Sequence, residues 1–350
     1  MKQTVSPSSI GLFFFCFFCF ANIGCRPSEP ERSMVRPAFY HWQTQLKLTA
    51  TERNYLDSIG AKKLYAKFFD VDWDAETSRP VPLAAIEMDT TRLGGLEIVP
   101  TIFITNRTLL NMNMQEVEIL AGRISQKIKS ISPQPPHEVQ FDCDWTPTTQ
   151  AKFFLLLERF KEKMPDATLS ATIRLHQLKY PEKTGIPPVD RGMLMCYNMG
   201  DLDDWATENS ILDLQVFKSY LPNRQPDLGY PLPLDVALPL FRWGVLFREG
   251  RLIKLLNNLS EADLQDVSRF KKSALNRYEV VKSTYLQAHY LYAGDLLRLE
   301  QVSQGELEAA AAMLGKLHGT PEITVAFYHL DTSVMQFFPQ EKIRAVLERF

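Results

Sequence analysis

Two pairs of aspartates carry the most chemistry in this chain. Asp70 and Asp72 close the run KLYAKFFDVD, Asp142 and Asp144 close EVQFDCD, and a tryptophan follows each pair, Trp73 and Trp145. Residues two apart on an extended strand point to the same side. Two carboxylates held side by side repel unless something uses them, which suits proton transfer or the grip on a polar ligand. The bland alternative for Asp142 and Asp144 is satisfaction by Arg174 and backbone amides. For Asp72 it is a place in the loop after the strand. Arg174 itself lies in the apolar run TLSATIRL and needs a partner there.

Positioning these side chains requires strands. Eight short apolar runs rich in β-branched and aromatic residues fall at 38–42, 63–70, 97–105, 138–144, 168–175, 192–198, 234–240 and 322–330. Helical patterns lie between most of them. Leu48-Thr49-Ala50-Thr51-Glu52 opens one helix with a capping signal. Residues 114–131 carry Val117, Leu120, Ala121, Ile124 and Ile128 in a stripe, and 148–164 carry Phe153, Leu156, Leu157 and Phe160. Residues 259–275 and 304–317 also read as helix. Strands alternating with helices predict an α/β fold, a (β/α)8 TIM barrel over residues 36–350. The surplus is an extended loop over 71–95 and a mostly helical insertion over 241–320, between the seventh and eighth strands. A split into two domains near the proline-rich stretch 221–233 is the structural alternative.

The functional residues of such a barrel gather at the C-terminal ends of its strands. Those ends read His41 and Trp42; Asp70 and Asp72; Asn106 and Arg107; Asp142, Asp144 and Trp145; Arg174 and His176; Tyr197 and Asn198; Arg242 and Trp243; Tyr328, His329 and Asp331. Aromatic rings stack on the apolar faces of sugars, and carboxylates and amides answer their hydroxyls. Asp142, Asp144 and Asp70 are therefore the candidates for catalysis. Trp42, His41, Asp72, Trp145, Arg174, His176, Tyr197, Asn198, Arg242, Trp243 and His329 are the candidates for substrate binding. His41, His176 and His329 could meet at a metal, but they lack the tight spacing of metal ligands. No metal or other cofactor is expected. Tyr292, Asp295, Arg298 and Glu300 could reach over the rim from the insertion.

The chain has 350 residues, 45% hydrophobic and 11% aromatic, with 39 basic and 41 acidic side chains. That excludes wholesale disorder and gives no electrostatic footprint for nucleic acid. Lys2 precedes the apolar run GLFFFCFFCF at 11–20, which suits an export signal and falls short of the roughly 20 residues of a membrane span. Asn22-Ile23-Gly24-Cys25 resembles a bacterial lipobox, although Asn22 departs from the usual Leu or Val. The resemblance implies a signal peptide over 1–24, lipid on Cys25, a polar tether over 25–35, and a membrane-anchored protein of the cell envelope. An ordinary secretory signal is the alternative. Cys143 and Cys196 remain for the body, too few for a disulfide framework, and are expected as buried thiols.

Three motifs carry a family resemblance. Phe141-Asp142-Cys143-Asp144-Trp145 resembles the fourth-strand Asp-x-Asp-x-Glu motif of the chitinase-like glycoside hydrolases of family 18. Met195-Cys196-Tyr197-Asn198 resembles their sixth-strand Met-x-Tyr-Asp, and Ala237 to Gly244 is similar to their seventh-strand segment. Phe39-Tyr40-His41-Trp42 before a capped helix resembles a set of exported bacterial barrels of the same superfamily. The resemblance implies a glycan ligand, with Asp144 orienting the sugar's acetamido group, which acts as internal nucleophile.

One position departs from the pattern. The family's general acid is a Glu where this chain has Thr146, and a threonine hydroxyl cannot donate a proton near neutral pH. Hydrolysis would need another acid, such as Asp70, Asp72 or Asp331. Three functions stay open: a hydrolase with a relocated acid or a degenerate one, a non-catalytic glycan-binding barrel, and a structural or assembly lipoprotein.

Overall fold

A computed structural model describes residues 1–3, 34–222, 228–317 and 321–350. Cys25, the export run at 11–20 and the tether up to residue 33 lie outside the described residues. Residues 32–350 make one compact unit, so the two-domain alternative does not hold.

Eight parallel strands close on themselves: β1 Met34–His41, β2 Lys63–Asp74, β3 Glu97–Ile104, β4 Glu138–Asp142, β5 Thr168–Arg174, β6 Arg191–Met195, β7 Leu234–Pro239 and β8 Glu322–Tyr328. Each pairs with its sequence neighbour; β8 also pairs with β1, and β1 with β2 through Tyr40 opposite Tyr65, which completes the ring. The predicted TIM barrel is present, with every strand where the apolar runs place it. Between strands the helices bury the expected stripes. Met114–Ile131 turns Val117, Leu120, Ala121, Ile124 and Ile128 inward, and Gln150–Lys163 does the same with Phe153, Leu156, Leu157 and Phe160. Thr49 and Glu52 form the predicted cap of the helix Ala50–Ile59.

The barrel floor is polar. Lys63 of β2 reaches Glu138 of β4 at 2.8 Å, and Ser170 of β5 donates to the same carboxylate at 2.6 Å. Arg191 of β6 grips Asp235 of β7 through two hydrogen bonds of 2.9 and 2.7 Å. Above that layer the rings take over: Tyr40 stacks on Tyr65, with centroids 5.1 Å apart.

Two expectations are corrected. The stretch 71–95 is not simply a loop: β2 runs on to Asp74 and folds back as Arg79–Leu83, antiparallel to itself. The insertion is not helical. Over 242–301 it is a five-stranded antiparallel sheet in the order Arg251–Asn257, Arg242–Arg248, Leu296–Gln301, Arg277–Val280, Phe270–Ala274, followed by the helix Gln304–Gly315. Glu249 and Gly250, both at positive φ, make the two-residue turn that pairs its first two strands. Its own small core holds Leu246, Leu256, Leu264, Phe270, Tyr278 and Leu297.

Candidate functional site

The parallel register of β4 and β5 sets Phe141 beside Ala171, so Asp142 lies level with Thr172. The Thr172 hydroxyl donates to Asp142 Oδ1 at 2.7 Å. Asp142 is buried, and burial pushes its carboxyl up to about 6; Arg174 opposes the rise and Asp144 adds to it. Asp144 lies further out, half exposed, where Arg174 holds both of its oxygens, one at 2.7 Å. The guanidinium is mostly buried. Burial disfavours its charge, but Asp144 and Asp142 outweigh that and hold it protonated.

These groups open onto a cavity of about 490 Å3. Asp142, Asp144, Arg174, Tyr197 and Asn198 form one side. Phe103 is the register partner of Asp142; Trp42, Tyr328 and His329 come from the ends of β1 and β8; and Phe241, Arg242, Trp243, Asn257 and Asn258 complete the lining beyond β7. The rings support one another: Tyr328 is 5.5 Å from Trp42, 5.4 Å from Tyr197 and 5.7 Å from Phe241. A second cavity of about 390 Å3 shares Asp144, Arg174, Tyr197 and Asn198, and adds Thr146, His176 and Tyr220. Together they form a cleft across the rim. Thr146 is exposed in it, its hydroxyl bonded to those of Thr148 and Thr149.

The insertion supplies Arg242, Trp243, Asn257 and Asn258 to the cavity. Trp243 donates its indole N–H to Glu300 at 2.8 Å, and Glu300 is paired with Arg298 at 2.6 Å; both charged residues are buried. Arg298 also donates to the backbone carbonyls of Leu202 and Asp204. Glu300 and Arg298 thus hold the wall from behind. Asp295 pairs with Arg248, and Tyr292 lies against that same arginine.

Some predicted site residues lie elsewhere. His41 alternates with Tyr40 and Trp42, which face inward, so its ring points out of the barrel, where Nε2 meets the Gln45 carbonyl at 3.0 Å. Asp70 is level with Phe103 and Asp142 across three strands, yet it is taken by Lys67 at 3.1 Å and does not line either cavity. Asp72 accepts from Arg107, from Thr105 and from the Trp73 N–H. Asp331 caps the helix Thr332–Phe337. Trp145 borders the second cavity with its ring buried: it stacks on Phe153 at 5.3 Å and donates to the Thr184 carbonyl. Among the described residues no group of three or more His, Cys, Asp or Glu is placed to hold a metal ion. Cys143 and Cys196 are buried free thiols.

Six residues lining the main cavity were not among the candidates: Tyr328, Phe103, Met195, Phe241, Asn257 and Asn258. Tyr328 and Phe241 stand beside named ones at strand ends, and inward alternation would have found them. The two asparagines come from the insertion, whose sheet the sequence did not reveal.

The chain has the barrel fold of a spore cortex-lytic enzyme. SleL of Bacillus megaterium superposes with a TM-score of 0.56 at 11% identity, over 92% of this chain and 75% of that chain. The GH18 chitinase ChiB of Flavobacterium johnsoniae gives 0.49 at 10% identity, over 91% of this chain and 94% of that one. The likeness is one of fold, a closed barrel of eight parallel strands. No protein-family model matches the sequence, and no curated protein matches it.

Proposed function

We propose that this chain is an envelope protein that binds a glycan through a hydrolase-like cleft whose acid has been lost. The observation that carries the reading is the joint placement of Asp142, Asp144, Arg174 and Tyr197 on one aromatic-walled cleft, with Thr146 where an acid would stand. Trp42 and Tyr328 supply ring faces for a pyranose, and Asn198, Asn257 and Asn258 supply hydrogen bonds to its hydroxyls. An elongated cleft suits several sugars in a row. Asp144, fixed by Arg174, accepts from an amide N–H such as that of an acetamido group. Lipid on Cys25 would keep the cleft at the membrane surface.

One observation favours residual turnover as a second reading. Asp142, at about 6, keeps a share of its proton near neutrality, as a general acid must. The test is a glycan array probed with the purified chain, followed by product analysis of every ligand retained. Retention without cleavage supports the binding reading; cleavage abolished by Asp142→Asn supports the second. No retention of any glycan removes both.

A further inference from the structure

The cleft continues past Arg242. A third hollow, of about 270 Å3, shares Phe241, Arg242 and Asn258 with the main cavity. Two cations, Arg242 and Lys342, line it, and its described lining contains no carboxylate. Arg242 has no salt-bridge partner among the described residues. Its guanidinium lies flat on Phe337, 3.6 Å from the ring centre. Asp263 acts on it through space, but that carboxylate is held by the N–H and hydroxyl of Ser260. Lys342 donates to the Phe337 carbonyl at 3.0 Å, which leaves its charge uncompensated.

Gln304 also lines the hollow. Its Nε2 donates to Glu308 at 2.8 Å and to the Lys342 carbonyl at 3.0 Å, which fixes the amide one way round. Its Oε1 is then a buried acceptor with no donor. Such an atom costs free energy until a ligand or water supplies the missing hydrogen. A guanidinium fork held flat by a ring is preorganised for an oxyanion, which it grips through two parallel bonds. An unpaired fork and a second cation in a hollow whose described lining has no carboxylate are complementary to a sugar that carries a negative substituent.

We infer that this hollow is a subsite for an acidic sugar. Arg242 takes a carboxylate or sulfate of the glycan, with Lys342 adding charge. The inference rests on the glycan-binding reading above and names its substrate class: a chain with an anionic residue next to the sugar in the aromatic cavity.

The experiment titrates the full chain with β-1,4-linked N-acetylglucosamine oligomers in three forms: neutral, bearing lactyl carboxylates, and sulfated. At least one anionic form is expected to bind about tenfold or more tightly than the neutral one, by an amount that shrinks with added salt. Which anionic arm leads identifies the substituent. Arg242→Gln should erase that preference, and Lys342→Gln, at a position outside the main cavity, should reduce it in part while neutral affinity stays within about twofold. Thermal midpoints check that both variants fold, and the wild-type comparison of neutral with anionic forms stands without either. Equal affinity for all three forms overturns the subsite and leaves the glycan reading intact. Binding of none of them, on an array that also retains no other glycan, removes both.

Discussion

Arg174 holds both carboxylate oxygens of Asp144, whereas Asp142, two residues earlier on the same face, receives only the hydroxyl of Thr172. One aspartate is therefore paired with a guanidinium at the mouth of the cleft, and the other is left buried with a raised pKa. The same spacing thus yields two electrostatic states.

The paired aspartate should contact the ligand. Asp144→Asn is expected to weaken binding of an N-acetylated sugar by about 1.5–3 kcal/mol, the worth of a hydrogen bond to a charged group. Calorimetric titration measures it. Equal affinities of wild type and variant would remove Asp144 from the site.

The buried aspartate should leave a mark on stability. Its native carboxyl titrates at about 6 against an ordinary 3.8, so the native state holds the extra proton in that window. Stability accordingly falls as pH rises from about 4 to about 6 and is flat above, by about 3 kcal/mol in order of magnitude. Asp142→Asn lacks this term. Urea melts at pH 4 and pH 7.5 should show the variant gaining on wild type as pH rises; a constant difference would contradict the assignment.

Restoring an acid tests the reading of Thr146. Thr146→Glu puts a carboxyl on the exposed side of the cleft beside Asp144, where the family-18 pattern has its proton donor. Hydrolysis of a retained glycan should rise above wild type, followed by release of reducing ends. Robust hydrolysis by wild type itself, unchanged by substitution of either Asp142 or Asp144, would place the chemistry elsewhere on the rim.

The pair behind Trp243 is a stability test. Arg298 and Glu300 are both fully buried, so removing one partner strands the other charge. Glu300→Leu should cost about 3–5 kcal/mol in a denaturant melt. The indole of Trp243 loses its acceptor as well, so its fluorescence should shift in the folded variant.

Export is tested at the N-terminus. Mass spectrometry of the membrane fraction should find an acylated Cys25 as the first residue, and Cys25→Ser should release the chain. One acyl chain holds a protein only marginally, so stable retention implies more than one. An unmodified N-terminus at another residue would refute the anchor.

Much of the barrel was legible because its strands are buried on both faces and stand out as unbroken apolar runs. The insertion was not. Leu259, Leu264, Val267, Phe270 and Leu275 fall at near-helical spacing behind a capping box at Ser260 and Asp263, yet only a short 3-10 turn forms, over Glu261–Leu264. Phe270–Ala274 instead forms a hairpin with its sequence neighbour Arg277–Val280 at the edge of the sheet, and that pairing overrides the helical pattern. The turn at Gln287 and Ala288 has neither glycine nor asparagine, although both residues sit at positive φ. Of the strand-end residues, Asp142, Asp144, Arg174, Tyr197, Trp42 and Trp243 line one cavity. The strand-end rule placed His41 in the cleft because it took whole strand ends where alternate residues face inward. Asp70 and Asp72 lie outside both cavities for another reason: Lys67 draws on one oxygen of Asp70, whose other oxygen is buried without a donor, and Arg107 holds Asp72; neither contact follows from spacing.

The charge pairs of Lys63 with Glu138 and of Arg191 with Asp235 close the bottom of the barrel, beneath the stacked tyrosines. A polymer therefore has no route along the barrel axis and must lie across the rim, entering and leaving sideways. Such a geometry recognises the middle of a strand as readily as its tip. A protein built this way would count positions along an uncut chain, and where it stands would be set by the spacing of charged residues in the polymer, not by the supply of free ends.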